Sequence, residues 1–248
     1  MENWERCKRV MLVLYALTAA CLAIAAASAA QPVPLDPPCD GLYTPAYTIQ
    51  GSGSSAAITG TVTTQGVVVG DFEGSSGLQG FYLQDAFGDS DPATSDGIFV
   101  FTGSADTVSA GQRVRVTGYA RERFGQTTLN GSNSNASAVP ATDIVSCGAG
   151  SVAATDVTMP FATADDPERY EGMLVRLPQS LVISEYFNYD RFGELVLALP
   201  LTGESRAYTP TSIAEPGAPA LARTLTNSSS RITLDELVAP SQRGGLFA

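Results

Sequence analysis

Gln112-Arg113-Val114-Arg115-Val116-Thr117-Gly118-Tyr119-Ala120-Arg121-Glu122 is the stretch that decides the fold class. Apolar and polar residues alternate along it at period two, which is the pattern of a β-strand with one buried face. Val114 and Val116 then point inward, and Arg113, Arg115 and Arg121 share the opposite side, with Arg123 continuing the same parity. Upstream, Val62 to Val69, Phe81 to Gln84 and Gly97 to Thr102 read as further strands between Gly- and Asp-rich turns. Downstream, either Thr127 to Asn130 or Thr142 to Cys147 supplies a fifth. No window of ten or more residues here carries helical periodicity. The expected fold is mainly β: an OB-fold-like Greek-key barrel of five short strands over residues 59–147.

Around this barrel the chain divides by composition. Residues 31–58 are rich in Pro, Gly and Ser and read as an extended linker. Gly131-Ser-Asn-Ser-Asn-Ala-Ser137 is of low complexity and loosens the chain after the barrel. A second β-rich unit is expected over 148–240, with strands at Met173 to Leu177, Leu181 to Ser184 and Glu194 to Leu199. Asp165-Asp166-Pro167-Glu168 reads as one helical turn opened by a proline, and Pro210 to Pro219 as loop. Such a unit has too few strands to bury a core alone. Residues 241–248 form a tail.

The first thirty residues set the expected compartment. Arg6, Lys8 and Arg9 precede an apolar run from Val10 to Ala27, and Ala27-Ser28-Ala29-Ala30 follows. That is the layout of a cleaved secretory signal peptide. The run also reaches the minimum for a membrane span, roughly 17 residues, but its Ala-rich character and cleavage-type ending favour removal. Lipidation at Cys21 lacks the large aliphatic residue three positions earlier. After cleavage no stable membrane contact is expected, and the destination is extracellular or periplasmic.

Charge and missing residue types narrow the chemistry. The chain carries −11, and residues 1–30 hold three positive and two negative charges, so the remainder carries −12. Its cations are all arginines, since Lys8 is the only lysine. Acidity of this size favours solubility and opposes tight, counterion-driven binding to polyanions. There is no histidine. This removes Ser-His-Asp and Cys-His hydrolysis, His-ligated zinc and a His general base. Beyond the leader only Cys39 and Cys147 remain, an even pair that predicts one structural disulfide in an exported protein.

Several longer motifs point further: Gln50-Gly-Ser-Gly53, Thr64-Gln-Gly-Val-Val68, Gly80-Phe-Tyr-Leu-Gln-Asp85, Asp89-Ser-Asp-Pro-Ala-Thr-Ser-Asp-Gly-Ile-Phe-Val100, Gly111-Gln-Arg-Val-Arg-Val-Thr-Gly118 and Asp165-Asp-Pro-Glu-Arg-Tyr-Glu-Gly-Met173. In this order they resemble the region upstream of the nuclease domain in NucH/ExeM-type bacterial extracellular endonucleases, which is similar to the OB-like domain of the secreted YhcR nuclease. The resemblance spans roughly residues 44–240 and implies a bacterial source. It also implies a metal-dependent endonuclease/exonuclease/phosphatase domain following in the same protein, with Mg²⁺ or Ca²⁺ belonging to that domain. No catalytic residue transfers, because no position here matches one, and no cofactor is expected within this chain. The sequence reads as the front part of an enzyme, either a fragment or a truncated form.

Two candidate sites follow from the residues. Tyr82, Phe99 and Phe101 fall on the second and third strands, where OB barrels stack single-stranded bases. Arg113, Arg115, Arg121, Arg123 and Phe124 lie on or beyond the fourth, close to a hairpin. Together they form a candidate surface for single-stranded or duplex DNA or RNA. The same arginines also read as a solvated face paired to Glu122 and nearby aspartates, and a bulge at Gly118 would split them. Ile98 and Val100 oppose Phe99 and Phe101, so at least one face of that strand is core. Asp85, Asp89, Asp91 and Asp96 are a weaker candidate for a Ca²⁺ loop, without EF-hand spacing, and aspartate is also an ordinary turn former. The expected function is a non-catalytic accessory region that binds or positions nucleic acid for a nuclease domain. The alternative is a structural or protein-interaction spacer without nucleic-acid contact.

Overall fold

A computed structural model describes residues 39–74, 77–163 and 165–235. The expected signal peptide, residues 1–30, and the expected tail, 241–248, lie outside the described residues. Six strands build the main sheet: β1 (Gly60–Phe72), β2 (Gly80–Gln84), β3 (Gly97–Phe101), β4 (Gln112–Glu122), β5 (Thr127–Asn130) and β6 (Ile144–Ala149). Their order is β1-β2-β3-β5-β4-β6, and β1 also pairs with β4, so β1 to β5 close into a barrel. Closure runs through a parallel β3–β5 contact, Phe99 opposite Thr128 and Val100 opposite Leu129. This is an OB-like barrel. Both proposals for the fifth strand correspond to strands: Thr127–Asn130 closes the barrel on the end of β4, and Ile144–Ala149 pairs with the start of β4 along the same edge.

Alternation along β4 is unbroken, with Val114, Val116, Gly118 and Ala120 buried and the residues between them half-exposed. The β1–β4 register runs continuously from Gly60 opposite Ala120 to Val67 opposite Arg113. The bulge expected at Gly118 is therefore absent. Gly118 instead allows a close approach, since a Cβ there would lie 3.1 Å from the Asn130 carbonyl oxygen. Irregularities sit elsewhere, in β1 between Val68 and Gly70 and between β4 and β6 near Gln112.

The core fills from inward positions of every strand, including Val68, Phe81, Leu83, Ile98, Val116 and Leu129. Ile49, on the short helix Ala46–Gln50, is fully buried beneath them. Truncating a buried side chain as large as Phe81 would cost about 3–5 kcal/mol. The segment before that helix is pinned to the barrel. Cys39 is bonded to Cys147 of β6 with Cα atoms 5.8 Å apart, and the Thr44 N–H donates to the Thr63 carbonyl at 2.8 Å. Constraining so long a loop is worth about 4–5 kcal/mol in the chain-entropy account. A formed disulfide is compatible with an oxidising, extracytoplasmic setting.

The stretch 131–137 is folded down, not loose. The Gly131 N–H donates to the Ser137 carbonyl at 2.7 Å, and the buried Asn130 amide donates to the Ser134 and Ser137 carbonyls. Beyond it the chain forms a small second β unit. β7 (Thr155–Asp156) pairs in parallel with β8 (Val175–Arg176), and β9 (Val182–Glu185), β10 (Glu194–Ala198) and β11 (Arg231–Asp235) make an antiparallel sheet ordered β11-β10-β9. A minor core of Val157, Met159 and Phe161 packs against Leu181, Leu199 and Ile232. Pro210 to Pro219 departs from the expected loop: it holds a helical turn, Pro210–Ile213, and the start of a helix, Ala218–Ser229. That helix buries only Ala220 and leaves Leu221 and Leu225 exposed, so its apolar residues do not fasten it to the rest of the fold. Asn227 fastens it instead, donating to the Tyr208 carbonyl at 2.9 Å.

Candidate nucleic-acid interface

The register places one row of residues across five strands on the outer barrel face. Gly70 lies opposite Tyr82, Tyr82 opposite Phe99, Phe99 opposite Thr128, and Thr128 opposite Arg121. Ile98 and Val100 point into the core, so Phe99 and Phe101 face outward, and neighbouring side chains cover both. Tyr82 lies over Phe99, with ring centroids 5.0 Å apart, and Phe72 meets the Tyr82 ring edge-on at 5.9 Å. Phe99 is 2% exposed and Phe101 6%. The Arg123 guanidinium caps the Phe101 ring at 4.0 Å. A base could therefore reach Tyr82 and Phe72, whereas Phe99 serves as the floor beneath Tyr82.

One flank of this face is the β4–β5 hairpin. The Arg123 N–H donates to the Gln126 carbonyl at 2.8 Å and the reverse bond measures 3.2 Å. The two residues between them have positive φ, 57° at Phe124 and 79° at Gly125. This is the geometry of a type I′ turn, whose first position normally holds Asn, Asp or Gly. A phenylalanine there is strained, because its Cβ crowds the backbone in the left-handed region. The ring nevertheless stands 80% exposed beside Arg123, 4.9 Å from its guanidinium. The Gln126 side-chain amide then donates to the Tyr82 hydroxyl at 3.1 Å, which ties the hairpin to the aromatic row.

The four arginines do not act together. Arg121 and Arg123 flank the aromatic row, where Arg123 also donates from Nε to the Asn135 carbonyl at 3.0 Å. Burial, then the charge of Arg121, lowers the Arg123 pKa from the ordinary arginine value. Arg115 sits six residues back along β4, about 20 Å away at strand spacing. Its guanidinium forks onto the Gly41 and Leu42 carbonyls, the first at 2.7 Å. Arg113, opposite Val67, has a buried Nε without a partner.

The aspartate loop does not gather into a metal site. Among the described residues no group of three or more His, Cys, Asp or Glu side chains is placed to hold a metal ion. Asp85 Oδ1 accepts from the Phe87 and Gly88 N–H groups, Asp91 Oδ1 from the Ala93 N–H, and Asp89 from the Asp91 N–H and the Thr94 hydroxyl. These carboxylates cap turns, as aspartate does in loops. Asp96 has its pKa raised by burial, and then by Asp89 and Asp85.

A buried polar cluster at one end of the barrel, unforeseen as a site, joins the second unit to the first. Glu171 Oε1 accepts from the Thr127 N–H at 2.8 Å and from Gln50 Nε2 at 3.1 Å. The Ser95 hydroxyl donates to the Glu171 carbonyl, and Gln84 Oε1 accepts from the Leu174 N–H at 2.8 Å. Gly97 lies directly against Gly172, where neither could carry a side chain without displacing backbone. Burial pushes the Glu171 carboxyl up to about 7, with Glu168 and Glu122 raising it further and the bonds from Gln50 and Thr127 opposing. Above this cluster a polar cleft of about 480 Å³ opens between Gln50–Ser54, Pro92–Ser95 and the turn carrying Asp166 and Arg169. The motifs Gln50-Gly-Ser-Gly53 and Glu171-Gly-Met173 were visible in the sequence, but only the fold brings residues 50, 84, 97 and 171 together.

No family model, curated protein or solved structure matches this chain.

Proposed function

We propose that the outer barrel face binds a single strand of nucleic acid, and that the chain is a non-catalytic accessory region of an exported bacterial endonuclease. The observation that carries the binding reading is Phe124. A bulky residue in a left-handed turn position lowers stability, and such strain persists where exposure of the side chain has a use. Its ring projects beside Arg123, on a hairpin that the Gln126 amide ties to Tyr82, in the β4–β5 loop that OB barrels use for oligonucleotides. Stacking on sequence-tolerant aromatic faces, with Arg121 and Arg123 beside the phosphates, suits single strands better than duplex. The nuclease context rests on the motif resemblance and on the leader-like residues 1–30; the disulfide accords with export.

The test is titration of the chain with a fluorescein-labelled oligothymidylate at low salt, read by anisotropy. Binding at micromolar concentration, weakened at least tenfold by Tyr82→Ala with Phe124→Ala, supports the reading. Absence of binding there removes it.

A second reading, a protein-interaction spacer, draws on a different surface. Tyr186, Phe187, Leu221 and Leu225 of the second unit are all largely exposed, Phe187 to 95%. Exposed apolar side chains of this size fit a protein partner better than a polyanion. Retained oligonucleotide affinity after Phe187→Ser with Leu225→Ser would separate this surface from the barrel face.

A further inference from the structure

The small sheet of the second unit ends on β11, which pairs only with β10 among the described residues and so presents one open edge. Such an edge offers unpaired N–H and C=O groups to a further strand, and proteins commonly blunt it with lysine, proline or a bulge. β11 has none of these: it reads Arg231-Ile232-Thr233-Leu234-Asp235, and its register with β10 is unbroken. Its two charges have opposite sign and stand at opposite ends, so an antiparallel copy meets attraction there. β9, at the other edge, joins β10 through an irregularity between Val196 and Leu197.

The same sheet has an apolar face covered at one end only. Leu197 lies opposite both Ile232 and Ile183, and Leu195, two residues back, lies opposite Leu234, so all five side chains share one side. Ile232 packs against the minor core, whereas Ile183 is 56% exposed and Leu234 48%.

We propose that β11 pairs antiparallel with β11 of a second copy of the chain, in the register that sets Thr233 opposite Thr233 of that copy. Arg231 then faces Asp235 of the second copy, Ile232 faces its Leu234, and the two-fold axis repeats both pairs. Opposite charges directly across a strand pair stabilise it, and like charges do the reverse. A slip of one residue sets the Arg-Thr-Asp side of one copy beside the Ile-Leu side of the other. A slip of two residues keeps the sides matched but loses both Arg–Asp pairs. Arg231 donates to Glu185 through Nη1 at 2.8 Å, and its other guanidinium N–H groups can serve the second carboxylate. Leu234, set against Ile232 of the second copy, carries the apolar face across the axis, and the two three-stranded sheets become one. This interface lies wholly in the second unit and does not rest on the strand-binding reading.

Sedimentation velocity of the full chain from about 1 to about 300 µM, the range suited to an interface smaller than that of a permanent dimer, should show a monomer–dimer equilibrium. Asp235→Arg sets arginine against Arg231 at both ends and should raise the dimer dissociation constant about tenfold or more. Arg231→Asp should do the same, and an equimolar mixture of the two variants should recover the dimer, because every pair again joins opposite charges. Arg231→Asp also releases Glu185, so a second measurement leaves Arg231 in place. With Cys7→Ser and Cys21→Ser, Thr233→Cys puts one free thiol at the axis, where opposed Cα atoms lie about 4.5–5.5 Å apart, within disulfide reach. Mild oxidation should link two chains there. Asp235→Cys in the same background lies four residues from its mate, roughly 13 Å along the strand, and should stay unlinked. A monomer at every concentration overturns the proposal and leaves the edge to another occupant. So does a dimer indifferent to Asp235→Arg, which is the result expected of association through the apolar run 10–27, or equal cross-linking at positions 233 and 235.

Discussion

At the scale of single residues, Phe124 sets local stability against exposure. The type I′ turn at 124–125 favours Asn-Gly, and the chain places Phe-Gly there. Replacing Phe124 with Asn relieves the strain of a bulky residue at φ 57° and removes an exposed ring. The expected outcome is a stability gain of about 1 kcal/mol in denaturant unfolding. Oligonucleotide affinity should fall in the same variant. A loss of stability instead would mean that the Phe124 ring contributes packing its exposure does not reveal. Tyr82 and Phe99 teach the complementary point about parity. Sequence alternation left both faces of β3 apolar, and only the register, with Tyr82 over Phe99 and Arg123 over Phe101, separates a reachable ring from its supports. Side-chain parity was legible in the sequence; coverage of Phe99 by Tyr82 and of Phe101 by Arg123 was not.

At the scale of elements, the junction formed by Glu171, Gln50 and Gly97 explains how a second unit with a minor core stays ordered. Gly97 begins β3 against Gly172, so Gly97→Ala forces the 171–174 segment away from the barrel and breaks the Leu174–Gln84 bond. A loss of about 2–4 kcal/mol is expected, the range for backbone displacement with an orphaned buried polar group. The Glu171 carboxyl also makes stability depend on pH. Its folded pKa of about 7 lies above the ordinary value of 4.5, so the folded state binds the proton more tightly than the unfolded one. Its contribution is therefore fully present below pH 4.5 and is lost as pH rises through 7. Allowing for solvent at a partly exposed group, the change amounts to about 1–2 kcal/mol. Unfolding free energies for the chain and for Glu171→Gln, measured at pH 5 and pH 8, should differ by that amount in their pH dependence, with the variant the flatter. The strands of the barrel were readable because β4 alternates apolar and polar residues at period two, and β2 and β3 are short apolar runs between Gly- and Asp-rich turns. The helix 218–229 was not, since it follows a Pro-rich stretch and is held by Asn227 and by an Arg223–Glu204 ion pair, its leucines staying exposed. Likewise β11 declares itself only through its pairing with β10.

At the scale of the whole molecule, a net charge of −12 beyond the leader and an aromatic face with two arginines make opposite demands on a polyanion. The acidic remainder repels phosphates over a distance of about one Debye length, roughly 10 Å at 0.1 M salt. In the proposed strand-binding reading, contacts at the face would be short-ranged and mostly stacking, which salt leaves largely intact. Salt therefore acts in two directions: it displaces the phosphates from Arg121 and Arg123, and it screens the repulsion. With two phosphates neutralised on a single strand, counterion release alone gives a slope of about −1.4 in log K against log salt. Screening of the acidic surface should flatten this to between about −1.4 and 0. Anisotropy titrations with oligothymidylate from 20 to 300 mM NaCl, about a fifteenfold range spanning the loss of screening, measure the slope directly. A value steeper than about −3 would require phosphate contacts well beyond Arg121 and Arg123. Since Arg115 is committed to the Gly41 and Leu42 carbonyls, such contacts would have to form at Arg113 or at arginines of the second unit. The strand would then run beyond the aromatic row, and that row would be one part of a longer track.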